Sequence, residues 1–316
     1  MVKYVAKRVL ISVLLVFLVS VFAFSLMHIL PGDPARLVLG EDAKQEDVDA
    51  LREKLNLNKP LLEQYVLWIT GALQGDFGDS VMYNRPVSTI LAERLPRTLS
   101  IGLPAILIAA VFGIIFGVIS AIKRGSWIDR LITFFATLGI GTPMFWIGIL
   151  GIYWFGMRWR LLPIQGYVAP TEDFLQYCYY AVMPIFCLSI ALLASVTRQT
   201  RSNMLEVINQ DYIRTARANG IVEKGVIFKH ALRNALIPII TVIALQVRVA
   251  IGGTLIVEVV FNIAGMGQLI KLAVINRDYL IVQGCVFVIS LVTVAVNLLV
   301  DILYGVVDPR IRVSRR

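Results

Sequence analysis

The chain has 316 residues, 58% of them hydrophobic and only 16% charged, with a mean hydropathy of +0.76. A soluble domain of this size carries about 25% charged residues, and the apolar excess here falls in runs long enough to cross a bilayer, which excludes an ordinary soluble domain. The net charge of +9 does not point to nucleic acid, because the basic residues sit in short segments beside apolar runs and form no polar basic face.

The first apolar run, Val9 to about Leu30, follows Lys3, Lys7 and Arg8. It exceeds a signal-peptide core and ends in HILPGDPAR without a small-x-small cleavage site, so it reads as a retained first membrane helix. Segment 31–98 follows. Within it Glu46–Leu57 shows helical apolar spacing with acids at its start, and a second short helix is expected over Pro60–Leu73. GDFGDS (Gly75–Ser80) reads as a turn, and LAERLPRTLS leads into the next span. The segment serves as a cap over the helices, as a docking surface for a partner outside the membrane, or as both.

Five further spans are expected at Leu99–Ile122, Leu131–Met157, Tyr180–Val196, Leu236–Phe261 and Val282–Val307, each near the roughly 20 residues a crossing helix needs. Tyr180–Val196 is the weakest, being short and interrupted by Pro184. In loops 31–98, 158–179 and 262–281 Arg and Lys are roughly matched by acids, and in the long first one outnumbered by them. The alternate loops are basic: Lys123, Arg124 and Arg130 in one, Arg198, Arg201, Arg214, Arg217, Lys224, Lys229 and Arg233 in the other, with Arg310, Arg312, Arg315 and Arg316 in the tail. That distribution places both termini in the cytoplasm. The expected fold is an all-α polytopic membrane protein of six helices, read as one transmembrane domain over 1–316.

The cytoplasmic loop 198–235 carries the most information. Leu205, Ile208, Tyr212 and Ala216 fall at steps of three and four and predict one apolar stripe on a surface helix over 205–219. Glu206, Asp211, Arg214 and Arg217 lie off that stripe. Gly220 is a natural helix stop, and a second helical stretch, about Glu223 to Asn234, leads to Pro238 in the fifth span. Little flexible chain intervenes, so a push on the first helix would move that span. Periodicity alone is satisfied equally by an interfacial helix on lipid headgroups and by a protein-docking element.

Polar groups inside the spans are few. Arg248 lies in mid-span, where a charge costs roughly 2.5–3.5 kcal/mol even on the gentler scale. It therefore faces the bundle interior, an aqueous path or an acidic partner, as a pathway or gating residue or as half of an internal ion pair. Glu258 lies towards the outer end of the same span and joins Arg248 as a candidate for the path or gate. Asp301, one turn after Asn297, reads as structural. Gly113 and Gly117, spaced i,i+4, predict close helix approach, and Pro104, Pro143 and Pro184 are candidate kinks. Cys178, Cys187, Cys285, His28 and His230 show no metal-ligand or disulfide spacing and read as packing or local hydrogen-bonding residues. There is no HExxH, GxSxG, Walker A sequence, filter-like glycine repeat or arginine ladder. Transport remains, driven by an ion gradient or by a separate motor.

Seven stretches in order resemble the permease subunits of ATP-binding-cassette importers for dipeptides, oligopeptides and nickel. They are LPGDPA (Leu30–Ala35), GDFGDS with RPV (Arg85–Val87), ERLPRTLSIG (Glu93–Gly102), DYIRTARANG (Asp211–Gly220) with HALRNALIP (His230–Pro238), IGGTLIVEVVF (Ile251–Phe261), NRDY (Asn276–Tyr279) and VDPRIR (Val307–Arg312). The resemblance implies a type I importer permease in the inner membrane of a bacterium or archaeon, paired with a second homologous permease and two ATPase subunits. It also implies an extracytoplasmic solute-binding protein at the outer face. ATP and Mg would bind the partner ATPases, and no cofactor or metal this chain; membrane lipid is the remaining contact. It further implies that the Asp211–Gly220 helix docks on an ATPase, with Asp211, Tyr212, Arg214, Ala216, Arg217 and Gly220 as the coupling residues. The generic motif begins Glu-Ala-Ala and has Gly four positions after its second Ala. Here that register reads Arg214, Thr215, Ala216 and Gly220, so the acidic residue is missing. Ala264 and Leu280 stand where members often have Pro. An ion-gradient transporter and a membrane scaffold without transport remain the alternatives.

Overall fold

The computed structural model describes residues 2–29, 34–40, 43–54 and 56–307. Most of the LPGDPA stretch, nearly all of VDPRIR and the four tail arginines lie outside the described residues. In chain order the elements are α1 (Val2–Ile29), α2 (Pro34–Leu39), α3 (Gln45–Lys54), α4 (Leu61–Leu73), β1 (Asp79–Ser80), β2 (Arg85–Pro86), α5 (Val87–Ile122) and α6 (Trp127–Gly141). Then come α7 (Met144–Gly151), running into a π-helical turn over Ile152–Arg158, α8 (Phe174–Ile208), α9 (Asp211–Ala218) and α10 (Glu223–Gly225). A second π-helical stretch, Val226–Leu232, joins α10 to α11 (Arg233–Val260), followed by α12 (Met266–Ile275) and α13 (Tyr279–Val307). Among the described residues five helices are long and apolar enough to cross a membrane, and six when α6 and α7 count as one broken span.

The expected third span breaks by 103° between α6 and α7. The cause is local: Thr142 precedes Pro143, whose ring pushes the preceding residue out of the helical region, and Thr142 is extended at ψ 127°. Its backbone N–H and its hydroxyl both donate to the Leu138 carbonyl, at 2.9 and 2.7 Å, and close the end of α6.

The other prolines behave differently. Pro104 and Pro184 lie inside unbroken helices, and the fourth span, expected to be short, is part of the 35-residue α8. Proline costs one helical bond and a clash, and here the helix is held by its buried face: Cys187, Leu188, Leu192, Ala194 and Val196 are all nearly inaccessible, while Val182 and Phe186 on the other face are exposed. The second helix likewise starts at Val87, well before the expected span, and α12 occupies a segment read as loop.

The chain divides into two compact units. One comprises residues up to Arg97 with Ala264–Asp301. In it α1 packs on α4 through Phe24, Tyr65 and Trp68, Ser20 hydrogen-bonds Tyr65 (2.7 Å), and Trp68 meets Phe287 of α13 edge-on. Arg8 pairs with Asp301 at 2.9 Å, and the Tyr4 hydroxyl donates to the Asp301 carbonyl, so Asp301 ties α1 to α13.

The motif stretches of this unit meet at one residue. Asp278 is 2% exposed; its carboxylate accepts from the Ser80 hydroxyl (2.6 Å) and the Met82 N–H (3.1 Å), and from the Ile281 N–H (3.3 Å) as the N-cap of α13. The NRDY aspartate thus clamps the Asp79–Ser80/Arg85–Pro86 hairpin that GDFGDS opens, and Arg85 forms an ion pair with Glu93 beyond it. Asp278→Ala is expected to lower stability by about 1–3 kcal/mol, from the lost cap and the stranded hairpin donors. A thermal midpoint equal to wild type in detergent would contradict this.

The second unit comprises Thr98–Ile263 with the end of α13. Its core packs α5, α7, α8 and α11 around Ile101, Leu188, Leu192 and Val257. A Cβ on Gly113 would lie 2.7 Å from Val196 Cβ, and one on Gly117 2.4 Å from Thr200 Cβ. The i,i+4 glycine pair therefore brings α5 against α8, as its spacing predicts.

Candidate functional site

Loop 198–235 is built differently from the single 205–219 helix that periodicity predicts. Arg198 to Ile208 continue α8, which ends at Asn209; Gln210 is extended (ψ 150°), and α9 begins afresh at Asp211. The break resets the helical phase. Tyr212 is 42% exposed, while Ile213 is fully buried and Ala216 nearly so. Ile213 and Ala216 sink into a cluster with Val118 and Ala121 of α5, Met204 of α8, and Val226, Ala231 and Ile239 of the return helix. Ala216 is therefore packing beneath the site and not part of its outer face.

Gly220 ends α9 as expected. With Gly220 at φ +77°, its N–H donates to the Arg217 carbonyl (3.0 Å) and the Ile221 N–H to the Ala216 carbonyl (3.3 Å). This is the paired closure that a left-handed residue allows. Nothing lies within 4 Å of a Cβ built there, so the glycine is required by backbone conformation alone.

Two side-chain ties stitch α9 to the chain that returns after it. Arg217 donates to both Glu223 oxygens, at 3.1 and 2.8 Å, a bidentate clasp across the glycine turn. That hydrogen bonding holds the Arg217 guanidinium above its usual pKa. The Tyr212 hydroxyl accepts from Asn234 Nδ2 at 2.9 Å. From Glu223 the helix continues through the π-helical stretch to Val260 without a break. Asp211 and Arg214 face outwards, 3.4 Å apart and 96% and 72% exposed. Val222 and Phe228, at 75% and 60% exposed, add apolar surface beside them. Sequence reasoning did not single out these two; the available signal was an apolar pair just past a glycine stop.

A second polar centre was also missed. Asp129 is 5% exposed and receives Arg201 Nε and Nη2 (2.7 and 2.9 Å), the Ser120 hydroxyl (2.5 Å) and the Gly125 N–H (2.9 Å). It joins α5, α6 and the end of α8. Its sequence signal was the Ser126-x-x-Asp129 capping pattern, realised by the Asp129 N–H donating to Ser126 Oγ at 3.3 Å.

The two intramembrane candidates fall apart in space. Glu258 is fully buried and accepts from the Thr98 hydroxyl at 2.5 Å, which ties α11 to α5. Arg248 is exposed, on a face of α11 shared with Leu245, Val249, Gly252 and Ile256. A Cβ on Gly253 would meet Leu188 at 2.7 Å, whereas one on Gly252 meets nothing within 4 Å. A cavity of about 1040 Å³ among α5–α8 has no charged side chain among its described lining residues.

Residues 113–313 match the family described as binding-protein-dependent transport system inner membrane component, and residues 1–102 match the corresponding N-terminal family. The chain is 39% identical over 309 residues to a probable peptide ABC transporter permease of Sinorhizobium fredii, covering 98% of this chain and 99% of that one. It is equally 39% identical over 312 residues to the glutathione transport system permease protein GsiC of Escherichia coli O1:K1 / APEC, covering 99% of each. A putative peptide transport system permease of Brucella abortus matches at the same identity and coverage. Among solved structures, one described as an amino acid ABC transporter with histidines superposes with a TM-score of 0.51 at 17% identity, over 71% of this chain and 94% of that one. At that identity the likeness concerns the fold alone.

Proposed function

Because the chain belongs to the family of binding-protein-dependent transport system inner membrane components, and is thus a non-enzymatic permease subunit of an ABC importer, we propose that it forms half of a peptide pathway worked from outside the membrane. The other half is a second homologous permease, with two ATPase subunits on the cytoplasmic side and an extracytoplasmic binding protein delivering cargo. ATP and Mg bind the ATPases. Both termini and loop 198–235 face the cytoplasm, a reading supported by the basic loops. The cargo is a peptide, since the relatives above are named for peptides and glutathione; nothing in those names favours the nickel reading.

One observation carries the coupling role. α9 presents Asp211 and Arg214 outwards, with Val222 and Phe228 of the returning chain exposed as well, while Arg217–Glu223 and Tyr212–Asn234 lock α9 to a helix running unbroken to Val260. A displacement of α9 by an ATPase is thereby passed to the fifth span and to the Arg248 face, which is open to a path or to the second permease. The ligand-driven shift lies in the ATPases, and this chain converts it into alternating access.

Arg214→Glu reverses an exposed charge whose ion pair among the described residues is with Asp211. It is expected to leave the thermal midpoint unchanged and to cut ATP-dependent peptide uptake in proteoliposomes at least ten-fold. Full uptake in that variant would count against docking through this face, and uptake driven by an ion gradient without ATPases would support the secondary-transporter reading. Arg248→Ala with normal uptake and assembly would remove Arg248 from the pathway.

A further inference from the structure

A smaller cavity of about 180 Å³ lies within the unit that contains α1, α4 and the start of α13. Phe24, Trp68 and Phe77 form apolar walls, and the polar side chains of His28, Asn56, Gln64, Asp76 and Gln283 also line it. His28 and Gln64 are spent on each other. The Gln64 amide nitrogen donates to the Leu57 and Lys59 carbonyls (3.3 and 2.7 Å), which turns its oxygen to His28 Nε2 at 3.0 Å and makes that nitrogen the donor.

Asp76 and Gln283 are not spent in this way. Asp76 is exposed at the rim of the cavity and accepts one bond, from the Gly78 N–H at 2.9 Å; among the described residues no cation pairs with it. Gln283 is 2% exposed, lines the cavity, and makes no hydrogen bond among the described residues. A buried carboxamide is ordinarily hydrogen-bonded, so the Gln283 amide is left to bond whatever fills the cavity, and the exposed Asp76 carboxylate at its rim favours a positively charged occupant.

We propose that this cavity binds a small organic cation with N–H donors on a slender stem, a guanidinium or primary ammonium group. Asp76 supplies the counter-charge, the Gln283 oxygen accepts an N–H, and Phe24, Trp68 and Phe77 present ring faces to the cation. An anion is repelled by Asp76, and an apolar ligand leaves both polar groups unpaired. The same chemistry is offered by a free solute and by an arginine or lysine side chain of a docked protein. The site does not depend on the transport reading.

The test uses the assembled complex in nanodiscs and methylguanidinium chloride at constant ionic strength, read by saturation-transfer NMR at the probe's methyl group. Wild type is expected to give a saturable signal, with affinity at least ten-fold weaker in Asp76→Asn, in Gln283→Leu, and for neutral N-methylurea. Asp76→Asn retains an acceptor for the Gly78 N–H, so its thermal midpoint should stay at the wild-type value. No saturable signal, or equal affinity in wild type and Asp76→Asn, overturns the proposal. A second arm separates the sources and leaves the site standing either way. Methylguanidinium displaces a docked binding protein if that protein supplies the cation, and leaves docking unchanged if the ligand is a free solute.

Discussion

Gly117→Val is expected to separate α5 from α8 and to be the most disruptive single change in the membrane core. Even an added Cβ would lie 2.4 Å from Thr200 Cβ and 2.7 Å from the Thr197 carbonyl oxygen. The second of these is backbone and has no rotamer to yield. Overpacking a filled core costs about 1–3 kcal/mol, so Gly117→Ala already falls in that range and valine exceeds it. The clean control is Gly252→Ala, whose Cβ meets nothing within 4 Å and which gains up to about 1 kcal/mol of helix propensity. Thermal midpoints in detergent, followed by size-exclusion chromatography, should drop by several degrees for Gly117→Ala and hold or rise for Gly252→Ala. Equal midpoints would show that the close approach of α5 to α8 is not a feature of the folded protein.

Asp129→Ala is expected to have the largest effect among the polar changes. It strands the Arg201 guanidinium, the Ser120 hydroxyl and the Gly125 N–H together. Removing one partner of a fully buried pair costs about 3–5 kcal/mol. The Arg201 side chain is 29% exposed and regains some hydration, so about 2–3 kcal/mol is the expected loss here. Asp129→Ala/Arg201→Leu, which removes the stranded charge, should recover part of it. A double variant no more stable than the single one would mean that the pair is not coupled. Because Asp129 anchors the end of α8 from which α9 hangs, uptake should fall together with stability.

What the sequence revealed and what it hid divide along physical lines. Local chemistry was legible: the Gly220 stop needs only one residue's backbone freedom, the break at Pro143 follows from the residue before it, and the Gly113/Gly117 spacing sets one helix face. Even there the magnitude was not, since nothing in Thr142–Pro143 announces a 103° turn. Pro184 misled for the opposite reason, because the burial that keeps α8 intact comes from residues far along the chain. The stripe through Leu205, Ile208, Tyr212 and Ala216 assumed one helical phase, and the extended Gln210 restarts that phase, exchanging Tyr212 for Ile213 on the buried face. Asp129 and Arg201 are 72 positions apart, and only folding brings them together. GDFGDS and NRDY were recognisable as separate signatures, while their meeting through Ser80 and Asp278 was not. Of the six expected coupling residues, Ala216 lies beneath the surface and the other five are exposed.

On the proposed function, α9 receives the ATPase and passes its motion to the fifth span. The most direct measurement places a benzoylphenylalanine photocrosslinker at Arg214 in the assembled complex and compares adducts with and without a non-hydrolysable ATP analogue. An adduct with the mass of an ATPase subunit is expected, its yield changing with nucleotide. Adducts to lipid alone, indifferent to nucleotide, would contradict it and leave α9 as an interfacial helix.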